Sequence, residues 1–221
     1  MAKGPYHILI GARSPSKGEA AVQLLQSRNH PGTCEFLPLD ITDDASIAAA
    51  AESVQATHGR LDILINNAAI ASEEMTRENM LSNLNTNATS VYFVTQAFRP
   101  LLLKARGTAR VINVSSGMGS VSLKLDHTNW VSSVSALPYR ASKAALHMVV
   151  AELIWEFREE EKVKFFTVCP GFTVSNLGPN NKAENGAKAT DEAVSPLLGI
   201  VEGERDGEAN EFLHAEGKYE W

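Results

Sequence analysis

The sequence predicts an α/β protein built on a doubly wound parallel sheet in three layers, and three observations carry that expectation. Short apolar runs rich in Val, Ile and Phe recur along the 221 residues and are too short to be amphipathic helices. Helix-like stretches separate them, an alternation that calls for right-handed crossovers between parallel strands. The unusual polar residues gather just after the apolar runs, at the carboxyl ends where such sheets bind ligands.

Taken in order, the strands are expected at Tyr6–Ala12, Cys34–Leu39, Leu61–Asn66, Ala109–Val114 and Val163–Val168, with Glu211–His214 a weaker candidate. The first helix is expected to open at Ser14 and Pro15 with a capping box in Ser16-Lys17-Gly18-Glu19, after which Ala21, Leu24 and Leu25 recur at helical spacing. A second follows Asp43 and Asp44, acids that suit the positive end of a helix. A third runs from about Glu73 to Lys104 with a break near Pro100, and a fourth from about Tyr139 to Glu160. Asp191–Val201 suits a further helix, and Gly207–Trp221 a last strand and tail.

No linker or low-complexity tract divides the chain, so residues 1–221 read as a single domain. With 20 basic and 26 acidic residues the net charge is −6, which gives no general attraction to nucleic acid or to an anionic membrane. Cys34 and Cys169 match no metal or redox spacing and read as reduced, packed thiols. No secretory segment and no apolar run near the ~20 residues of a membrane span is evident, so a cytoplasmic location is expected. Asn87-Ala88-Thr89 and Asn113-Val114-Ser115 fit the glycosylation pattern, which has no meaning without secretion. His7, His30, His58, His147 and His214 form no metal pattern in sequence, and no metal is expected.

The stretch Gly11-Ala12-Arg13 through Lys17-Gly18 almost spells a phosphate loop, but Ser16 stands where the motif needs glycine and Gly18 where it needs a hydroxyl. Better signals lie downstream. Tyr139-Arg140-Ala141-Ser142-Lys143 sets a phenol and an ammonium four apart, hence on one helix face, where the cation would lower the phenol's pKa toward neutrality. Ser115-Ser116-Gly117 ends an apolar strand, and a serine there can donate a hydrogen bond to a carbonyl oxygen as charge develops on it. Asn66-Asn67-Ala68-Ala69 ends another strand, with amides able to tie strand ends and small residues that let backbone approach a flat ligand. Cys169-Pro170-Gly171 ends a third in a rigid turn.

Together, in this order, these motifs resemble the short-chain dehydrogenase/reductase family over nearly the full chain, and in particular its NADP-dependent carbonyl reductases. The resemblance implies a Rossmann-like fold and hydride transfer between NADP(H) and a small ketone, aldehyde or alcohol. It makes Tyr139 the proton donor, Lys143 the residue that tunes it and holds the nicotinamide ribose, Ser116 the group that polarises the carbonyl, and Asn87 the helix asparagine that keeps a water in the proton relay. Asn83 and Asn85 are neighbouring candidates for that last role. Arg13 and Lys17 would read the 2′-phosphate of NADP(H), and Asp40 would contact the adenine. Ile41, Asn67, Ala68, Pro170, Gly171, Thr173 and Ser175 complete the implied cofactor contacts with Tyr139 and Lys143. Family dimers and tetramers meet through the fourth helix and the C-terminal region, which leaves a homo-oligomer open.

The chain departs from the family at its start. The Thr-Gly-x-x-x-Gly-x-Gly turn that holds the pyrophosphate is absent, and Ile8 to Asp40 has room for one strand-helix-strand step, not two. The opening strand is then the family's second, and the missing strand would have paired between Tyr6–Ala12 and Leu61–Asn66. Unpaired backbone or new pairing, lower stability and weak cofactor binding are the expectation. Two readings stay open: a truncated reductase, or a non-catalytic variant of the fold. Smaller departures are Ala69 in place of glycine, Ser175 in place of threonine, and an insertion at Leu123–Val134 whose His127 and Trp130 either wall a substrate pocket or pack the loop. Phe172–Lys188 sits where the family carries a mobile substrate lid.

Overall fold

In a computed structural model that describes residues 5–221, the backbone forms two sheets rather than one, and the chain separates into two compact units that divide after Gly59. In the first unit, β1 (Tyr6–Ala12) and β2 (Gly32–Pro38) run parallel in register from Tyr6↔Gly32 to Ala12↔Pro38, joined by α1 (Pro15–Ser27). Gly32 lies at φ +106° with the Tyr6 backbone where a Cβ would stand, so the strand entry requires glycine. The expected capping box does not form: Pro15 starts the helix early, and Ser14 takes the N-cap position with its hydroxyl turned to that of Ser16. Helix α2 (Asp44–Thr57) begins as the acids foretold, with the Asp43 carboxylate accepting from the Ala45 amide at 3.0 Å. It ends where Gly59 adopts φ +70° and both the His58 and Gly59 amides donate back to the Val54 carbonyl.

The second unit carries a five-stranded sheet in the order β3 (Ile63–Asn66), β4 (Ala109–Val114), β5 (Val163–Val168), β6 (Phe212–His214) and β7 (Gly217–Tyr219). The first four strands are parallel, and β7 turns back antiparallel on β6 where only a tail was expected. Central strands buried on both faces read as continuous apolar runs, and here Val111, Ile112, Phe165, Phe166 and Val168 are all 2% exposed or less. Alternate residues serve opposite layers. Val111 and Phe165 pack with Leu102, Leu153 and Phe157, while Ile112, Phe166 and Val168 pack with Ile200 and Leu213. Among the described residues β1 pairs with β2 alone and β3 with β4 alone, so each keeps one edge without a strand neighbour and no new pairing replaces it.

The expected long helix from Glu73 is two helices, α3 (Arg77–Leu84) and α4 (Ser90–Leu102), joined by a π turn at Asn85–Thr89. The break is therefore at the asparagines, and Pro100 sits inside α4 without ending it. A short α5 (Val121–Leu125) and a 3₁₀ turn at Trp130–Ser133 fill the insertion, with His127 and Trp130 exposed rather than packed. Helix α6 spans Leu137–Glu156, two residues earlier than expected because Pro138 suits its first turn. The stretch expected as one helix at Asp191–Val201 is two, α7 (Thr190–Ala193) and α8 (Ser195–Val201), because the Pro196 ring allows a helix start but not a continuation. Among the described residues no helix is long and apolar enough to cross a membrane.

Candidate active site

The chemistry-bearing side chains of the second unit converge past the carboxyl end of β4. The strand hands its last ladder bond to Ser115, whose amide donates to the Val168 carbonyl at 2.8 Å. Ser116 then caps a 3₁₀ turn at Gly117–Gly119, its hydroxyl accepting from the Met118 amide at 3.2 Å. Gly119 brings that turn against α6 so closely that a Cβ would stand 2.7 Å from Lys143 Cβ and 2.8 Å from the Lys143 carbonyl carbon. This is the physical content of the glycine in Ser-Ser-x-x-Gly: only a residue without a side chain lets the serine turn touch the helix that carries Tyr139 and Lys143.

Tyr139 and Lys143 lie one turn apart on α6, 7% and 2% exposed. Ser116 stands beside the phenol as a hydrogen-bonding neighbour that lowers its pKa. The Lys143 Nζ donates to the Val114 carbonyl at 2.8 Å and stands 5.7 Å from the Tyr139 ring centre. Here the electrostatic expectation needs correction. Burial pushes the Tyr139 phenol up to about 12, against the lowering effect of the Ser116 bond, and burial also pulls the Lys143 ammonium down to about 8. For the phenol desolvation outweighs the Ser116 bond, so Tyr139 is a firm proton holder.

Asn87, not Asn83 or Asn85, joins this cluster. Its Oδ1 accepts from the Ile70 amide at 2.9 Å, and its Nδ2 donates to the Ile70 carbonyl and to Ser142 Oγ, each at 2.8 Å. Ser142 passes its own hydroxyl to the Tyr139 carbonyl at 2.7 Å. The chain Ile70–Asn87–Ser142–Tyr139 thus ties the segment after β3 to the helix of the phenol. Asn83 instead holds Ser72 and the Asn79 carbonyl. Asn66 ties strand ends as expected, donating to Asn113 Oδ1 at 2.9 Å, while Asn67 and Ala68 are exposed beyond it.

Pro170 and Gly171 follow β5 in a turn with Gly171 at φ +82°, and Cys169 Sγ accepts from the Gly117 amide, linking this turn to that of Ser116. The Thr173 hydroxyl donates to the Gly171 carbonyl at 3.0 Å, and Ser175 Oγ accepts from the Leu177 amide at 3.3 Å. An open cleft of about 750 Å³ lies beside this segment, lined by Ala71 and residues of 174–182. In the first unit Arg13 and Lys17 are exposed around the start of α1, and Ile41 is half-buried in the turn before α2. The Asp40 carboxylate is held below its usual range chiefly by the Thr42 hydroxyl and amide, with Arg13 adding its charge.

A family model described as short chain dehydrogenase matches residues 1–186. The chain belongs to the short-chain dehydrogenase/reductase family. The short-chain dehydrogenase/reductase tropE of Talaromyces stipitatus is 34% identical over 233 aligned positions, which cover 97% of this chain and 87% of that protein. The short-chain dehydrogenase anuI of Penicillium roqueforti is 34% identical over 202, covering 88% and 78%. Among solved structures, an NADPH-bound carbonyl reductase from chicken fatty liver superposes with a TM-score of 0.77 at 26% identity, covering 99% of this chain and 100% of that one. Carbonyl reductase Sniffer of D. melanogaster reaches a TM-score of 0.81 at 18% identity, covering 100% and 90%, a likeness of fold. The fold is thus Rossmann-like, and the family is one of oxidoreductases that use nicotinamide cofactors on small-molecule substrates.

Three residues of this family member escaped the reading of its sequence. Ser142, inside Tyr-x-x-x-Lys, is fully buried and relays Asn87 to Tyr139. Arg140, in the same motif, is buried and clamps the insertion: its Nε donates to the Val134 carbonyl at 3.1 Å, Nη1 to the Met118 carbonyl at 3.2 Å, and Nη2 to the Val131 carbonyl. His147, one turn beyond Lys143, meets Ser115 Oγ through Nε2 at 2.8 Å and packs against Phe212 and Trp221. The helical spacing Tyr139, Lys143, His147 was available in the sequence and places all three on one face.

Proposed function

We propose that the protein is an NADP(H)-dependent carbonyl reductase that interconverts a small ketone or aldehyde and its alcohol. The observation that carries this reading is the Ser116–Tyr139–Lys143 cluster, with Tyr139 and Lys143 buried and the half-buried Ser116 hydroxyl beside a phenol held protonated. When bound, the nicotinamide supplies the hydride, and the protein supplies orientation and charge. Ser116 donates a hydrogen bond to the substrate oxygen, where negative charge grows. Tyr139 gives its phenolic proton to that oxygen, and Lys143, one turn away, stabilises the phenolate left behind. Asn87 and Ser142 fix the backbone of Tyr139, and a proton from solvent restores the phenol.

For the cofactor's phosphate end, Arg13 and Lys17 are exposed cations free of competing short ion pairs among the described residues, a charge pattern that suits a 2′-phosphate better than free hydroxyls. The NADPH-bound state of the chicken relative agrees with that choice, although a 3-oxoacyl-[acyl-carrier protein] reductase of Brucella melitensis with a TM-score of 0.78 is a complex with NAD. A second reading, a non-catalytic member of the family, is favoured by one observation: among the described residues β1 and β3 each keep one edge without a strand neighbour. Calorimetric titration with NADPH, with NADH as control, separates the two. Micromolar NADPH binding, much weaker NADH binding, and turnover abolished in Tyr139→Phe with NADPH affinity kept are the expected results. No heat from either nucleotide would favour the second reading, and unchanged turnover in Tyr139→Phe would overturn the role of the phenol.

A further inference from the structure

We propose that His7, Glu35 and His58 form a binding site for one zinc ion that clasps β1, β2 and the end of α2 within residues 5–59. The sequence shows no such pattern, because the three residues come from three separate elements; the fold assembles them. Parallel pairing sets His7 opposite Thr33, and Glu35 follows Thr33 by two, so all three side chains share one face of the ladder. His58 is the C-cap of α2, and the left-handed Gly59 fixes where that helix stops and hence where the imidazole stands.

Both ring nitrogens aim at one carboxylate oxygen: His58 Nε2 lies 2.8 Å and His7 Nε2 3.3 Å from Glu35 Oε1, and the three donor atoms fall within 4.8 Å of one another. Around a tetrahedral zinc with bonds of about 2.0–2.1 Å, ligand atoms stand roughly 3.3 Å apart, so side-chain rotations of about an ångström complete the set. Two imidazoles and one carboxylate suit zinc, whereas calcium and magnesium take oxygen ligands. A His₂Glu set leaves the fourth position open, and the side chains are 28–51% exposed, so solvent can fill it and the ion can enter.

A further contact supports a ligand role. His7 Nδ1 lies 2.6 Å from Thr33 Oγ1, the outer-shell hydrogen bond that fixes a metal-bound imidazole. Without metal, Nε2–H of each histidine donates to Glu35, and these bonds hold the carboxyl below its usual range. On binding, each neutral imidazole presents the lone pair of Nε2 to the ion and carries its single proton on Nδ1, which in His7 is donated to Thr33 Oγ1; a proton is released to solvent only from a ring that was doubly protonated beforehand.

The test uses the untagged full chain, freed of metal with a chelator and titrated with zinc sulfate by calorimetry, with cobalt(II) absorption as a second reading of the ligand field. Expected are one ion per chain, a thermal midpoint that rises with zinc, affinity reduced at least 100-fold in His58→Ala and Glu35→Gln, and about 10–100-fold in Thr33→Val, which removes only the outer-shell partner. Thr33→Val keeps all three ligands, so it reads the site even where His58→Ala impairs folding. Absence of zinc binding, or binding unchanged in the double variant His7→Ala/His58→Ala, would overturn the proposal.

Discussion

Replacing Gly119 with alanine tests whether the contact between the serine turn and α6 sets the geometry of the cluster. The added Cβ would lie 2.7 Å from Lys143 Cβ, 2.8 Å from the Lys143 carbonyl carbon and 3.1 Å from the Ala144 amide nitrogen. Carbon atoms rest at about 3.5–4.0 Å, so turn and helix must part by roughly 0.8 Å. Two of the three obstacles are backbone and the third is a Cβ, and none can rotate aside. Overpacking of this kind costs about 1–3 kcal/mol, which for a chain of this size lowers the thermal midpoint by about 2–12 °C. The larger effect falls on turnover. Ser116 accepts from Met118 within the displaced turn while Tyr139 stays with α6, and a misplacement near 1 Å costs on the order of 100-fold in rate. Thermal unfolding and steady-state reduction with NADPH read the two effects. Gly117→Ala is the control, because its Cβ meets the movable Leu123 Cδ1 at 3.3 Å and should cost under about 1 kcal/mol. A Gly119→Ala chain with unaltered midpoint and turnover, or one no worse than Gly117→Ala, would refute the reasoning.

Three further outcomes follow from buried groups. Burial first, and the Lys143 charge second, pull His147 down to about 4 from 6.5, so between those values the unfolded chain binds more protons and stability falls as pH drops from 6.5 to 4. That loss is on the order of 3 kcal/mol, and His147→Asn should flatten it in denaturant titrations across that range; an unchanged slope would assign the acid sensitivity elsewhere. Asn87→Asp leaves the Ile70 carbonyl without its donor and buries a charge, and should lower unfolding free energy by about 3 kcal/mol, where a loss under about 0.5 would contradict the hydrogen-bond chain. Gly18→Ala gains about 1 kcal/mol of helix propensity, yet its Cβ would stand 2.3 Å from the Phe36 ring, so net destabilisation is expected and an increase in thermal midpoint would show that the ring yields freely.

How much of this was legible depended on whether the deciding interaction was local. The central parallel strands β4 and β5 were readable because burial on both faces fills them mostly with apolar residues, as in Val111-Ile112 and Phe165-Phe166. β7 was not, since Gly217–Tyr219 pairs through a tight reversal after His214 and has no periodicity of its own. The long third helix failed at Asn85–Thr89 because the π turn rests on bonds from Asn87 to Ile70 and Ser142, distant partners that no window of sequence displays. Tyr139 and Lys143 were placed on one helix face correctly, but their spacing says nothing of how deeply both are buried. Desolvation therefore reversed the expected direction for the phenol.

Asn87 shows why a family role must be rebuilt from the bonds of the chain in hand. Both amide hydrogens of Nδ2 are committed, one to the Ile70 carbonyl and one to Ser142 Oγ, and Oδ1 already accepts from the Ile70 amide. A relay in which this asparagine holds a water must then use its backbone carbonyl or the second lone pair of Oδ1, since no side-chain donor remains. The side chain itself acts as a positioning group: through Ser142 it fixes the carbonyl of Tyr139, and through Ile70 it fixes the segment that follows β3. The π turn is the backbone distortion that lets one residue reach both partners, which is why the helix breaks at the asparagines and runs unbroken through Pro100.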